Sequence, residues 1–185
     1  MTDVQAEEDV ITLLQRQHQE IRELFAELDT ATGDQRRDTF RSLVRLLAVH
    51  ETAEEEVVHP AARSADGGDA IVDARIGEEH RAKELLSTLD SMGPEAEGFD
   101  TLLLQLRDDV LAHAEHEERE EFPRLRTACS PEQLRGMALA VRAAEAVAPT
   151  RPHPGVESAK ANLLLGPPTA IMDRARDLIR GVLRR

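Results

Sequence analysis

Two stretches of the chain repeat each other. HETAEEEVVHPAAR at 50–63 and HAEHEEREEFPRLR at 113–126 share His, Glu, Glu, Pro and Arg at equivalent places. In the first, Phe40, Leu43 and Leu47 step by three and four residues onto His50, Glu54 and Val57; in the second, Leu103, Leu106 and Val110 step onto His113 and Glu117. Imidazole and carboxylate therefore stand in the stripe that an amphipathic helix turns towards its core. An unpaired charge buried there costs several kcal/mol, so the fold must supply a partner. His18 precedes His50 by 32 residues and His80 precedes His113 by 33, which reads as one helix-pair unit used twice.

The remaining periodicity completes that picture. Ile11, Leu14, Ile21, Phe25 and Leu28, with His18 in the same stripe, predict a helix over about 8–29. The second helix spans about 35–62. Val72, Ile76, Leu86 and Leu89 predict a third over about 69–91, with His80 at the margin of its apolar face, and the fourth covers about 99–127. TATGD, SADGGD and SMGPEAEG are the connecting loops. The expected class is all-α: an up-down antiparallel four-helix bundle over residues 1–130, followed by a C-terminal helical extension over 131–185. That extension holds a helix near 131–147, the Pro-rich linker APTRPHPG and a last helix from about 169.

Composition narrows the function. The 185 residues carry a formal charge of −13, which argues against a general nucleic-acid binder. The start of the chain lacks the basic-then-apolar order of a signal peptide, and no apolar run reaches the roughly 20 residues that span a bilayer, so a cytoplasmic protein without stable membrane insertion is expected. Cys129 is the single cysteine, so any metal must be held by His and carboxylates.

HxxxE alone says little, because five of the seven histidines have Glu four residues on. Any one of them reads equally well as solvated or paired with a local Glu. What the repeat adds is convergence: two hairpins packed antiparallel about a pseudo-two-fold axis bring His18, His50, Glu54, His80, His113 and Glu117 together at mid-bundle. Imidazole suits iron, copper and zinc, and carboxylates can bridge neighbouring metals, so this set favours a dinuclear iron site. Neither a lone zinc nor an all-oxygen calcium or magnesium site needs it.

These residues resemble the haemerythrin-like, HHE-type cation-binding domain over roughly 8–127: His18, His50 with HExxE, His80, and His113 with HxxxE before Phe122-Pro123. The tail, with PTRPHP and a basic last helix, is similar to actinobacterial members. The resemblance implies two iron ions, non-haem and oxo- or hydroxo-bridged, able to meet oxygen, nitric oxide or peroxide, with the six residues above as metal ligands. It also implies a departure. Oxygen-carrying haemerythrins place two histidines on the third helix, whereas here Glu84 stands four residues after His80, which puts reversible oxygen transport in doubt.

Further residues carry weaker expectations. Similar HHE-type domains have Tyr before the proline where this chain has His59; a one-residue π-bulge beside Pro60 would align His59 with Glu54 as an additional ligand, and a solvent-facing helix end is the alternative. His116 and Glu51 are candidates for an outer shell that orients the ligands, against an exposed position in solvent, which the residues favour for each. Ile171, Ala175, Leu178 and Val182 line one side of a last helix rich in Arg; such a basic amphipathic helix can meet a membrane surface or a partner, and here it is expected instead to fold back over the acidic bundle or to cap a second subunit as a homodimer. The functional expectation is hydrogen peroxide disproportionation (catalase-like) in oxidative-stress defence; the alternative is oxygen, nitric oxide or iron binding or sensing without turnover.

Overall fold

A computed structural model describes residues 8–147 and 168–183. All elements among them are helical: α1 (Val10–Leu28), α2 (Gly33–Ala53), α3 (His59–Arg63), α4 (Gly68–Met92), α5 (Phe99–His116), α6 (Phe122–Ala128), α7 (Pro131–Val147) and α8 (Pro168–Leu183). One π-helical turn, Glu54–Val58, joins α2 to α3, and a second, Glu117–Glu121, joins α5 to α6. Four long helical arms therefore make two antiparallel hairpins, α1 with α2–α3 and α4 with α5–α6, as the repeat predicts. The linker at 148–155, including His153, lies outside the described residues.

The arms start and stop for local reasons. Asp9 caps α1 by accepting the Thr12 N–H at 2.8 Å, which satisfies one of the donors a helix start leaves open. Gly93 and Gly98, with φ of 78° and 84°, close α4 and open α5 in a backbone region that other residues enter at a cost. Between the arms, Ile11, Leu14, Ile21, Leu24, Leu28, Leu43, Leu47, Leu86, Leu89 and Leu106 are buried in a single core. Each such side chain contributes about 1.5–3 kcal/mol by leaving water.

The two π-turns have a cause in the sequence. Pro60 and Pro123 carry no N–H, and a proline ring clashes with the carbonyl four residues back. The chain slips by one residue, so that the His59 N–H bonds to the Glu54 carbonyl and the Phe122 N–H to the Glu117 carbonyl. This i-to-i+5 winding keeps the residues on both sides of each turn facing inwards.

The C-terminal pair packs on one side of the bundle. α7 lies against α1, and α8 against α2 and α7, burying Ile171, Ala175 and Ile179. The last helix thus folds back over its own bundle, one of the arrangements expected of it.

Gly68 tests the tight α3–α4 corner. A Cβ there would stand 2.1 Å from the Ala62 carbonyl oxygen, whereas one at Gly77 would meet nothing within 4 Å. Gly68→Ala should cost about 1–3 kcal/mol, a fall of several degrees in Tm. Gly77→Ala should instead raise stability by about 0.5–1 kcal/mol, since alanine is the better helix former. Thermal melts of the two variants check both signs.

Candidate metal centre

At mid-bundle the inner nitrogens of three histidines and the carboxylates of three glutamates converge. His18 Nε2 lies 3.1 Å from His50 Nε2 and 3.2 Å from Glu117 Oε2. Glu54 spans the cluster: its Oε1 is 2.8 Å from His50 Nε2 and its Oε2 is 3.5 Å from His113 Nε2. Glu117 Oε2 is also 3.5 Å from His113 Nε2. The donor atoms fall into two groups that share Glu54: His18, His50, Glu54 and Glu117 in one, Glu54, Glu79 and His113 in the other.

Each imidazole is turned by a partner on its outer nitrogen. His18 Nδ1 donates to Glu118 Oε1 at 2.7 Å, His50 Nδ1 to Gln17 Oε1 at 2.7 Å and His113 Nδ1 to Glu78 Oε2 at 3.0 Å. Gln17 is held in turn by Glu145 of α7 at 2.8 Å. Such contacts fix the tautomer that leaves Nε2 free to bind a cation. Phe122 stacks on His18 with 8° between the rings and 5.8 Å between centroids, closing that side against water.

The inner atoms have too few protein partners. Both oxygens of Glu54, both of Glu117 and His113 Nε2 are buried without a hydrogen bond. Burial alone pushes the Glu54 carboxyl up, but His50 and His113 hold it well below the usual carboxylate range. Burial and the charge on Glu54 drive Glu117 well above that range. His18, dehydrated and facing His50, falls to about 2, while Glu117, Glu54 and Glu78 outweigh burial and lift His113 well above its ordinary value. A bound metal would give these atoms the partners they lack, so the donor set fits a cation site.

His80 is a correction. Its side chain is 74% exposed and pairs with Glu84, outside the cluster. Glu79, one residue and about 100° round the helix, faces inwards and is 2% exposed. Loop length explains the shift: the connection between α4 and α5 is two residues longer than that between α1 and α2, so a spacing of 32 in the first hairpin becomes 34 in the second. Thirty-four residues before His113 is Glu79.

His59 is buried, and neither of its nitrogens is free. Nδ1 contacts Glu121 Oε1 at 2.8 Å and Nε2 contacts Glu79 Oε1 at 2.5 Å. Burial opposes its charge, yet the two carboxylates raise it to about 10. As placed, His59 orients Glu79 instead of presenting a lone pair. His116 touches none of the donor carboxylates: its Nδ1 donates at 2.9 Å to Glu78 Oε1, the carboxylate that also holds His113. Glu51 is buried, not exposed, and lines a small cavity beside the cluster with His18, His50, Glu79, His113 and Val110. Burial pushes its carboxyl up to about 8. Cys129 is a half-buried free thiol just beyond α6. Sequence reasoning missed Glu79, Glu121, Gln17, Glu78 and Glu118; only for Glu79 did the loop lengths hold a signal.

Residues 9–125 match the family model for the Hemerythrin HHE cation binding domain. The chain belongs to this family. A haemerythrin HHE cation-binding domain-containing protein from Mycobacterium kansasii, known from a crystal structure, shares its fold at a TM-score of 0.64 and 19% identity, over 74% of this chain and 84% of that one. A DNA nickase from a Nostoc species is 32% identical over 139 residues, 75% of this chain and 38% of that protein. This haemerythrin-family chain thus spans well under half the length of that relative. No helix among the described residues is long and apolar enough to cross a membrane.

The exchange of His80 for Glu79 can be checked directly. Glu79→Ala should weaken metal binding by at least about tenfold, since even an outer partner of a ligand is worth that much. His80→Ala should leave it unchanged. Metal analysis after equilibration against a chelator of known affinity reads both.

Proposed function

We propose that the chain is a dinuclear non-haem iron protein whose centre is held by His18, His50, Glu54, Glu79, His113 and Glu117, and that it disproportionates hydrogen peroxide. The observation that carries this reading is the sharing of Glu54 between two donor groups whose buried atoms lack partners. A bound iron pair would supply two one-electron centres that together store the electron pair passed between two peroxide molecules. One peroxide gives up two electrons and two protons and leaves as dioxygen; the other accepts them and leaves as two waters.

The chain's own residues favour a ligand that carries protons over bare oxygen or nitric oxide. Glu51 Oε2 is buried without a hydrogen bond at the wall of the cavity, where a carboxyl raised to about 8 would give and take a proton with a bound peroxide. Ile21, Leu47, Ala82, Leu111 and Ala114 complete the wall with Val110, an apolar lining that leaves room for small molecules alone. Gln17, Glu78 and Glu118 keep the imidazoles turned inwards throughout. Helix α4 contributes the carboxylate of Glu79 in place of a histidine, which would raise the negative charge around bound metals and favour oxidised iron over reversible oxygen carriage. DNA nicking is not extended to this chain, whose charge of −13 opposes phosphate contact.

Iron-loaded protein should evolve oxygen through many turnovers when peroxide is added. Glu51→Gln should keep its iron and lose about a hundredfold in kcat, the scale of one proton-transferring group. Two irons per chain without turnover would move the reading to an oxygen, nitric oxide or iron sensor.

A further inference from the structure

Helix α8 lies beyond the residues that match the family, yet it reaches the metal centre through an unbroken run of charges. Arg180 forks Glu56, with Nε 2.7 Å from Oε2 and Nη2 2.9 Å from Oε1. Arg176 joins two neighbours, Glu56 Oε1 at 3.0 Å and Glu55 Oε2 at 3.1 Å. The other oxygen of Glu55 contacts Lys83 of α4. Lys83 Nζ is in turn 3.5 Å from Glu79 Oε2 and 3.6 Å from Glu51 Oε2.

Glu55 and Glu56 belong to the π-turn that begins at Glu54 and delivers His59. What this turn arranges acts on both oxygens of Glu79: His59, which follows it directly, hydrogen-bonds Oε1, and Lys83, which Glu55 holds, sets its charge 3.5 Å from Oε2, an oxygen left without a hydrogen bond and open to a cation. A π-turn is a local departure from the α-helix. If it relaxed by one residue, His59 would swing through about 100° and release Glu79. Glu54, Glu55 and Glu56 also set three carboxylates in consecutive positions, whose repulsion grows unless cations stand against them. Arg forks supply that charge with fixed geometry, and the burial of Ile171, Ala175 and Ile179 keeps α8 in place to deliver them.

We propose that Arg176, Arg180 and Lys83 are positioning residues for the ligand Glu79, and that α8 acts as a clamp on the first π-turn that sets how slowly the centre gives up its metal. This rests on the reading of the cluster as a metal site with Glu79 among its ligands.

The test loads full-length protein with ferrous iron without air and follows its release to a coloured ferrous chelator. Arg176→Gln with Arg180→Gln should release iron about tenfold faster, the low end of what losing an outer partner does to metal affinity. Release from the unaltered protein should quicken as salt rises towards about 1 M, where charges are screened beyond about 3 Å, and the double variant should lose most of that salt dependence. Lys83→Met, which leaves both Arg forks intact, should give the same acceleration with an unchanged far-ultraviolet circular dichroism spectrum. Iron uptake by all three proteins with equal release rates and equal salt slopes would overturn the clamp while leaving the metal site standing. Failure of the unaltered protein to take up iron would overturn both.

Discussion

The structure depends on two carboxylates, Glu54 and Glu117, that are fully buried among apolar helices with neither oxygen of either group hydrogen-bonded. An arrangement like this is costly unless something positive sits between the groups, and the protein's own histidines neutralise it only in part. Everything around the pair serves to keep it in place. Four long arms bring the donors to one level, Phe122 shields one side, and outer partners on α1, α4 and the second π-turn hold the imidazoles in the tautomer a cation needs.

The π-turns show how a sequence can aim consecutive groups into one site. On a regular helix His50 and Glu54 share a face, but a residue five places after Glu54 would turn away from it. Pro60 forces the extra residue, and His59 comes back to the interior to meet Glu79 and Glu121. The same device at Pro123 brings Phe122 onto His18, so the two halves share a backbone solution and differ in its chemistry. One half ends in an ionisable ring between two carboxylates, the other in an apolar ring against an imidazole.

Much of this was legible in the chain. The three-four stripes place the helical arms to within about two residues, and the HxxxE repeat identifies His50, Glu54, His113 and Glu117 together with the need for a partner. The π-turn beside Pro60 was also readable, because a proline inside a continuing helical pattern leaves few other solutions. What failed was the third arm. His80 and Glu79 are adjacent, both can bind metal, and the weak apolar stripe of α4 does not say which faces inwards; the answer lies in loop lengths that only act once the hairpins are packed. Gln17, Glu78, Glu118 and Glu121 were hidden for another reason. Partners on the outer side of a ligand come from neighbouring helices at sequence separations of 33 to 100, with no periodic signal linking them.

The central claim is that two cations share Glu54, with Glu79 holding one of them. A crystal structure of iron-loaded protein, with anomalous scattering recorded across the iron absorption edge, tests it most directly. Two iron peaks, both in contact with Glu54 and one with Glu79, are the predicted result. A single peak, or a peak bound by His80 with Glu79 turned away, would contradict it.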